Sequence, residues 1–140
     1  MIRIVGLDHL VLRVVDLQRM LAFYCDALGC QVERRVDSIG LVQLRAGRSM
    51  IDLVPVDSKL GREGGGPPDR DGRNLDHFCL RVEPFDADAI RAHLSALGYS
   101  PGEPKQRVGA EGEGPSIYVD DPEGNVVELK GPASSELSLA

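Results

Sequence analysis

The sequence predicts an α+β fold made of two tandem modules, each with the element order β-α-β-β-β. The main observation is a repeat, because Leu7-Asp8-His9 recurs 68 residues later as Leu75-Asp76-His77. Both copies continue as an apolar strand and then as a helical pattern that ends at a Leu-Gly pair. A period of about 70 residues that occurs only twice indicates a duplicated module rather than a solenoid.

The first module, residues 5–56, contains one helix and four strands. Residues 7–14 are rich in Val and Leu, which favours a strand. Asp16 is a suitable N-cap for a helix over 17–28, and Gly29 stands where a glycine ends a helix. The apolar side chains at helical spacing, which we expect to face inward, are Leu17, Met20, Leu21, Tyr24 and Leu28. Three strands are predicted over 31–36, 41–45 and 50–55.

The second module, residues 75–131, repeats this order. A strand over 76–82 leads to a helix over 87–97, which Asp86 caps and Gly98 ends. The predicted inward residues of this helix are Ala89, Ile90, His93, Leu94 and Leu97. His93 has no counterpart in the first copy and is interpreted as structural. The last three strands are predicted near 102–106, 115–120 and 125–130.

Three segments are expected to lie outside the packed elements. Residues 57–74 are polar and glycine-rich, which predicts a linker that does not pack. Residues 109–114 are expected to form a mobile acidic loop that could act as a lid. The domain is followed by a C-terminal tail, residues 132–140, and the chain is expected to be frayed from Gly131 to Ala140. The domain itself is therefore predicted to span 5–131.

Composition excludes several classes of function. The chain has 16 Lys and Arg against 22 Asp and Glu, a formal charge of −6, which disfavours a nucleic-acid partner. No apolar run approaches the about 18 residues that would cross a membrane. The 3 cysteines show no Cys-x-x-Cys spacing, so a disulfide framework is not expected. These features predict a cytoplasmic protein without a membrane or nucleic-acid partner.

Strand alternation places four chemically useful side chains on one kind of face. In the first strand of each copy the histidine alternates with apolar residues, so His9 and His77 lie on the face opposite the helix. In the last strand of each copy the same alternation puts Asp52 and Glu128 on the histidine face. Two copies arranged symmetrically would bring these two imidazoles and two carboxylates around one point.

That donor set suits a divalent transition metal. Imidazole binds Zn, Ni, Co and Fe, carboxylates extend the choice to Mn, and positions are left for water or substrate. A single histidine or a single strand carboxylate is usually a packed or solvated side chain. The duplication favours the metal site. If these residues were only packed or solvated side chains, a histidine and an acid would stand at equivalent positions of both copies by chance.

The sequence resembles the vicinal oxygen chelate superfamily, which includes glyoxalase I, extradiol dioxygenases, fosfomycin-resistance thiol transferases and bleomycin-resistance proteins. The resemblance rests on Leu7-Asp8-His9-Leu10, on Leu75-Asp76-His77-Phe78 and on the segment Tyr118–Leu129. It implies that the two modules form an incomplete β-barrel cup. It also implies a metal site made by His9, Asp52, His77 and Glu128, and small relatives of this kind commonly form homodimers.

Glyoxalase I is the activity that the resemblance favours. There a carboxylate ligand moves a proton between neighbouring carbons of a glutathione hemithioacetal through a metal-bound enediolate, as in a lactoylglutathione lyase. By this analogy Glu128 or Asp52 is the catalytic base. Arg13 and Arg81 would hold the carboxylates of a glutathione or other thiol adduct, with Tyr118 as a further substrate contact. Solvated strand-end arginines are an equally good interpretation of that pair.

The sequence departs from this pattern at Asp52, where glyoxalase I usually has the longer Glu. If Asp52 does not bind the metal, the remaining triad of His9, His77 and Glu128 fits a thiol transferase or a dioxygenase. Extradiol cleavage also expects a histidine a few residues before Tyr118, and residues 109–111 supply none. A metal-free drug-binding protein is the third alternative, disfavoured by the absence of Trp and by an aromatic content of 4%.

Overall fold

A computed structural model describes residues 1–136 of the chain. The chain divides into two compact units, residues 1–74 and the residues from Leu75 onward. Each unit has one mixed, open sheet and one main helical segment, in the order β-α-β-β-β. The predicted fold class of two tandem βαβββ modules is therefore confirmed. Within the described part of the chain, no helix combines the length and apolar character needed to cross a membrane.

The first unit has the predicted element order. Its elements are β1 (His9–Val14), α1 (Leu17–Leu21) continued by a π-helix (Ala22–Ala27), β2 (Gln31–Val36), β3 (Leu41–Ala46), β4 (Ser49–Pro55) and a short 3₁₀ helix (Gly61–Gly64). The sheet order is β1-β4-β3-β2, with β1 parallel to β4 and the other pairs antiparallel. Only the ends of the strands differ, by one or two residues, from the sequence prediction.

The helical segment of this unit packs tightly on the sheet. Asp16 caps it as predicted, because its carboxylate accepts a hydrogen bond from the backbone N–H of Arg19 at 3.1 Å. Met20, Phe23 and Tyr24 are fully buried. The segment was expected to be one α-helix, but its second half widens to a π-helix. It ends at Gly29, whose φ of +83° is favourable for glycine.

The second unit repeats the topology. Its elements are β5 (His77–Arg81), α2 (Ala87–Ala96), β6 (Lys105–Gly109), β7 (Gly112–Asp120), β8 (Val126–Lys130) and β9 (Ser135–Glu136). The sheet order is β5-β8-β7-β6, and β9 pairs with β7. Asp86 caps α2 through the backbone N–H of Ala89 at 3.1 Å, and Gly98 follows the helix with a φ of +93°. Both end signals in the sequence are confirmed.

The inward face predicted for α2 is only partly correct. Leu94 is buried and Ile90 is half-buried, but Ala89, His93 and Leu97 are exposed. Hydrophobic spacing predicts which face of a helix turns inward, but it does not predict how many of its turns the sheet covers.

Three predictions for the second unit were wrong. The strand expected near 102–106 is β6 (Lys105–Gly109), and residues 109–114 form the tight end of the β6–β7 hairpin instead of a mobile loop. The tail is not frayed over residues 131–136, because β9 pairs with β7 and the Ser134 N–H donates to the Glu113 carbonyl at 2.7 Å. Residues 137–140 lie outside the described part of the chain.

The segment 57–74 also differs from the expected linker. The Arg13 guanidinium, projecting from β1, donates hydrogen bonds to the carbonyl oxygens of Gly61, Gly65 and Gly66 at 3.3, 2.6 and 2.9 Å. The side-chain amide of Asn74 donates to the Arg13 carbonyl at 3.0 Å. A half-buried guanidinium can thus order a polar segment whose own composition does not predict packing.

Candidate functional site

The first candidate cluster lies on the face of the first sheet opposite α1. β1 and β4 run side by side with Val11 opposite Asp52, so Asp52 and His9 are on the same face. The His9 ring is half-exposed, and its Nδ1 lies 2.7 Å from a carboxylate oxygen of Asp8. This hydrogen bond raises the pKa of His9, partial burial opposes the shift, and the Asp52 charge adds to it.

Asp52 is the unusual member of this cluster because it is only 3% exposed. Its Oδ2 accepts a hydrogen bond from the side-chain amide of Gln43 at 3.2 Å. Its Oδ1 is buried and has no hydrogen-bond partner within residues 1–136. A buried carboxylate oxygen without a donor is costly, so this oxygen is suited to a cation.

The second candidate cluster occupies the equivalent face of the second sheet. Cys79 stands opposite Glu128 across β5 and β8, which places His77 and Glu128 on one face. His77 Nδ1 lies 2.6 Å from a carboxylate oxygen of Asp76, and His77 Nε2 lies 3.5 Å from Oε1 of Glu128. The Glu128 side chain is buried, so the structure brings together the two predicted residues of this half.

Tyr118 lies in the second cluster, and its role as a substrate contact stays a prediction. It stands opposite Glu128 in the β7–β8 pair, and its ring packs edge-to-face on His77 with ring centres 5.6 Å apart. Burial raises the pKa of Tyr118, and the charge of Glu128 and a hydrogen bond with it act in the same direction. The Arg107 guanidinium, 4.1 Å from the ring centre, opposes this shift.

Cys79 is a neighbour that the sequence reasoning left without a role. Cys79 is exposed as a residue, but partial desolvation of its sulfur raises its pKa to about 11, and the charge of Glu128 and a hydrogen bond with it add to the shift. The signal was present in the sequence, because Cys79 lies two residues after His77 and must share its face. The same reasoning could have found Gln43, which stands opposite Asp52 in the β3–β4 pair.

The two arginines predicted to bind substrate have partners inside the protein. Arg13 donates to the three glycine carbonyls of the segment after β4. Arg81 forms an ion pair with Glu111 at the tip of the β6–β7 hairpin and lies 3.8 Å from a carboxylate oxygen of Glu83. That either arginine holds substrate stays a prediction.

Each cluster contains part of the ligand set expected from the sequence. Among residues 1–136, no group of three or more His, Cys, Asp or Glu side chains is arranged to hold a metal ion. The structure instead brings together one histidine and one carboxylate on one face of each sheet. The shared arrangement of all four ligands stays a prediction.

The donors present nevertheless fit a divalent metal. In both halves an aspartate, Asp8 or Asp76, is hydrogen-bonded to Nδ1 of the following histidine. A neutral imidazole held in this way keeps its lone pair on Nε2, which is how carboxylates orient metal-binding histidines in proteins. The unpartnered Oδ1 of Asp52 is a third suitable donor atom.

Comparison with known proteins agrees with this fold. Virulence protein STM3117 of Salmonella typhimurium is 30% identical over 129 residues, which cover 88% of this chain and 81% of that protein. Its crystal structure matches with a TM-score of 0.74, covering 94% of this chain and 100% of that one at 26% identity.

Two further solved structures share the fold at lower identity. A lactoylglutathione lyase from Agrobacterium tumefaciens has a TM-score of 0.66 at 23% identity, covering 92% of this chain and 95% of that one. TnmS3, an antibiotic binding protein from Streptomyces sp., has a TM-score of 0.66 at 21% identity, covering 95% of this chain and 100% of that one. At these identities the likeness concerns the fold alone.

The family model of the glyoxalase/bleomycin resistance protein/dioxygenase superfamily matches residues 6–129, nearly all of the described chain. Together with the repeated βαβββ units, this match shows that the chain belongs to that superfamily.

Proposed function

We propose that the protein is a divalent-metal-dependent isomerase or lyase of the glyoxalase I type. His9 and Asp52 of the first unit and His77 and Glu128 of the second unit would be the ligands of one ion, whether their two units belong to one chain or to two copies. Zn, Ni, Co, Mn and Fe all fit this mixed set of imidazole and carboxylate donors.

The observation that carries this proposal is the buried Oδ1 of Asp52, which has no hydrogen-bond donor within residues 1–136. A strand carboxylate with only a packing role would be expected to have donors for both oxygens. The equivalent Asp–His hydrogen bonds in the two halves support the same conclusion, because each favours a free Nε2.

Glu128 is the better candidate for the catalytic base. Asp52 is fixed by Gln43 and has one methylene fewer, so it suits a ligand that stays in place. Glu128 has a longer side chain and lies beside His77 and Tyr118, which can orient it. In the proposed reaction Glu128 takes a proton from one substrate carbon and returns it to the neighbouring carbon.

The metal would act as a Lewis acid that stabilises negative charge on the substrate oxygens. The protein supplies the other parts of the reaction. Tyr118 donates a hydrogen bond to Glu128 and limits its movement, while burial of the carboxylate keeps water away from the transferred proton. The substrate would be a small molecule with adjacent oxygen atoms, such as a thiol adduct of a 2-oxoaldehyde.

Elemental analysis of purified protein tests the ligand set. We expect about one metal ion per set of four ligands, and His77→Ala and Asp52→Asn should each lose it. His93→Ala is the matched control, because His93 is exposed on α2 away from the candidate ligands. Freshly prepared wild-type protein without metal, or equal metal in wild type and His77→Ala, would contradict the proposal and favour a metal-free binding protein.

A substrate screen then tests the reaction class. The methylglyoxal–glutathione hemithioacetal should be isomerised by the metal-loaded enzyme. Turnover of fosfomycin with glutathione, or of a catechol, without turnover of the hemithioacetal would contradict the glyoxalase assignment and favour the corresponding relative.

A further inference from the structure

Two cations of the second unit share a sheet face with the candidate base. Lys130 follows Glu128 by two residues on β8 and stands opposite Ser116 on β7. Arg107 stands opposite Gly114, which alternates with Ser116 and Tyr118 along β7. Lys130 and Arg107 therefore lie on the same face as Glu128, and neither was identified from the sequence.

Lys130 is a buried cation, with only 6% of its surface exposed. Its ammonium donates to the backbone carbonyl of Arg107 at 2.8 Å, and this is its one hydrogen bond within the described residues. An ammonium has three N–H donors, so two of them remain available to donate hydrogen bonds to a ligand. Two glycines make room for the Lys130 side chain. A Cβ at Gly109 would lie 2.7 Å from Lys130 Cε, and a Cβ at Gly114 would lie 3.1 Å from Lys130 Nζ.

Arg107 is likewise held by neutral groups. One nitrogen of its guanidinium donates to the carbonyl of Ser116 at 3.0 Å and to the hydroxyl of the same residue at 2.7 Å. Its Cζ lies 4.1 Å from the centre of the Tyr118 ring. These contacts fix the plane of the guanidinium without neutralising its charge.

Some other arginines of the molecule are paired with carboxylates. Arg45 pairs with Glu33 at 2.7 Å, and Arg91 pairs with Glu103 at 2.9 Å. In the part of the chain that the structure describes, neither Arg107 nor Lys130 forms such an ion pair. Lys130 is buried and Arg107 is half-buried, and neither is within ion-pair distance of a carboxylate among residues 1–136, Glu128 on the same face included. Enclosed cations of this kind are stabilised by a ligand that supplies negative charge.

We propose that Arg107 and Lys130 form a binding site for an anionic group, a carboxylate or a phosphate, on the small molecule that the protein binds. This inference rests on the proposed function only in placing the reactive part of that molecule at Glu128. The anionic group would lie about two residues further along β8, so the substrate would carry its charge at a short distance from the reacting carbons.

Anion titrations on the metal-free protein test this site. Inorganic phosphate and acetate are titrated into chelator-treated protein at constant ionic strength, and binding is followed by calorimetry and by the backbone amide NMR signals of β6 and β8. We expect saturable binding of at least one anion. Lys130→Met and Arg107→Gln should each weaken it by about tenfold or more, because each removes charged donors.

Two controls separate loss of the site from loss of the fold. Arg91→Gln removes a cation of the same unit that is already neutralised, and it should bind the anions like wild type. Met has a length similar to Lys and fits beside the two glycines, so Lys130→Met should keep the wild-type free energy of unfolding or raise it. The anion that binds more tightly identifies phosphate or carboxylate as the recognised group.

The inference is overturned if neither anion saturates, or if both variants bind like wild type. Metal content measured on the same preparations keeps the two proposals apart. Loss of the metal site with intact anion binding would contradict the proposed function alone. Metal binding without anion binding would contradict the inference about Arg107 and Lys130 alone.

Discussion

The two halves of the molecule place the same kinds of residue at the same backbone positions and surround them differently. In each half the histidine begins the first strand, and the acid stands opposite the residue two places after it. Both carboxylates are buried, but within residues 1–136 Asp52 accepts one hydrogen bond, from Gln43, whereas Glu128 contacts His77 and Tyr118. Both halves thus share one register, and the different neighbours of the two carboxylates are the basis for the different roles proposed for them.

The largest expected effect comes from replacing each of these two carboxylates by the corresponding amide. We expect Glu128→Gln to lower turnover of the hemithioacetal by about 10²–10⁴-fold, because a general base contributes that much to the rate. Asp52→Asn should act mainly through the amount of bound metal, so its turnover per bound metal should fall less. Steady-state kinetics with metal analysis of each preparation measure both quantities.

The opposite result would contradict the roles proposed for the two carboxylates. If turnover per bound metal falls more in Asp52→Asn than in Glu128→Gln, Asp52 is the base. Gln43→Leu is a further test, since it removes the hydrogen bond that Gln43 donates to Asp52 and leaves Glu128 unchanged.

A smaller effect is expected from the helices, which pack to different extents in the two halves. Phe23 lies in the helical segment of the first unit beside two other fully buried large side chains, whereas Leu94 is the one fully enclosed residue of α2. Phe23→Ala should lower the free energy of unfolding by about 3–5 kcal/mol and Leu94→Ala by about 2–5 kcal/mol. Denaturant unfolding followed by circular dichroism measures both.

Leu97→Ala is the control for this pair, because Leu97 is 49% exposed although its spacing predicted an inward side chain. Its substitution should change the free energy of unfolding by no more than about 0.5 kcal/mol. A loss as large as that of Leu94→Ala would mean that α2 packs through a wider face than the structure shows.

The smallest effect concerns the histidine of the first half. The hydrogen bond that His9 Nδ1 donates to the Asp8 carboxylate raises the pKa of His9 above its ordinary value of 6.5, so Asp8→Asn should lower this pKa. The stability that this pair contributes is present below pH 6.5 and is lost as the pH rises through the higher pKa of the folded protein. NMR titration of the imidazole signals measures the pKa, with His93 as the internal reference for unrelated changes.

An unchanged His9 pKa in Asp8→Asn would contradict the role given to Asp8. Asp76→Asn is the corresponding variant of the second half, where the aspartate contact has nearly the same length. Metal affinity should fall in both variants, because the freed ring can turn its Nε2 away.

The parts of the fold that depend on local pattern could be predicted from the sequence. Alternation along β1, β4, β5 and β8 placed His9, Asp52, His77 and Glu128 on the correct faces, since successive strand residues point to opposite sides. The caps at Asp16 and Asp86 were found for a similar reason. A cap is a contact within one turn and needs no knowledge of tertiary structure.

The parts that depend on tertiary neighbours could not be predicted in this way. Residues 109–114 look like a loop, but pairing of β6 with β7 makes them the end of a hairpin. Arg107 and Lys130 stand out because neither pairs with a carboxylate among residues 1–136, and ion pairing between strands depends on the tertiary structure. The ordered segment after β4 depends on a hydrogen bond from Arg13, which lies about 50 positions earlier in the chain.

The hydrogen bonds between Arg13 and residues 57–74 have a practical consequence. Both the carbonyl of Gly66 and the side chain of Asn74 are attached to that one arginine, so the chain between them is a closed excursion on the surface of the first unit. A fluorescent reporter or affinity peptide inserted between Pro67 and Pro68 would leave both attachments intact. An insertion at this position is therefore expected to leave the two attachments to Arg13, and with them the fold of the first unit, in place.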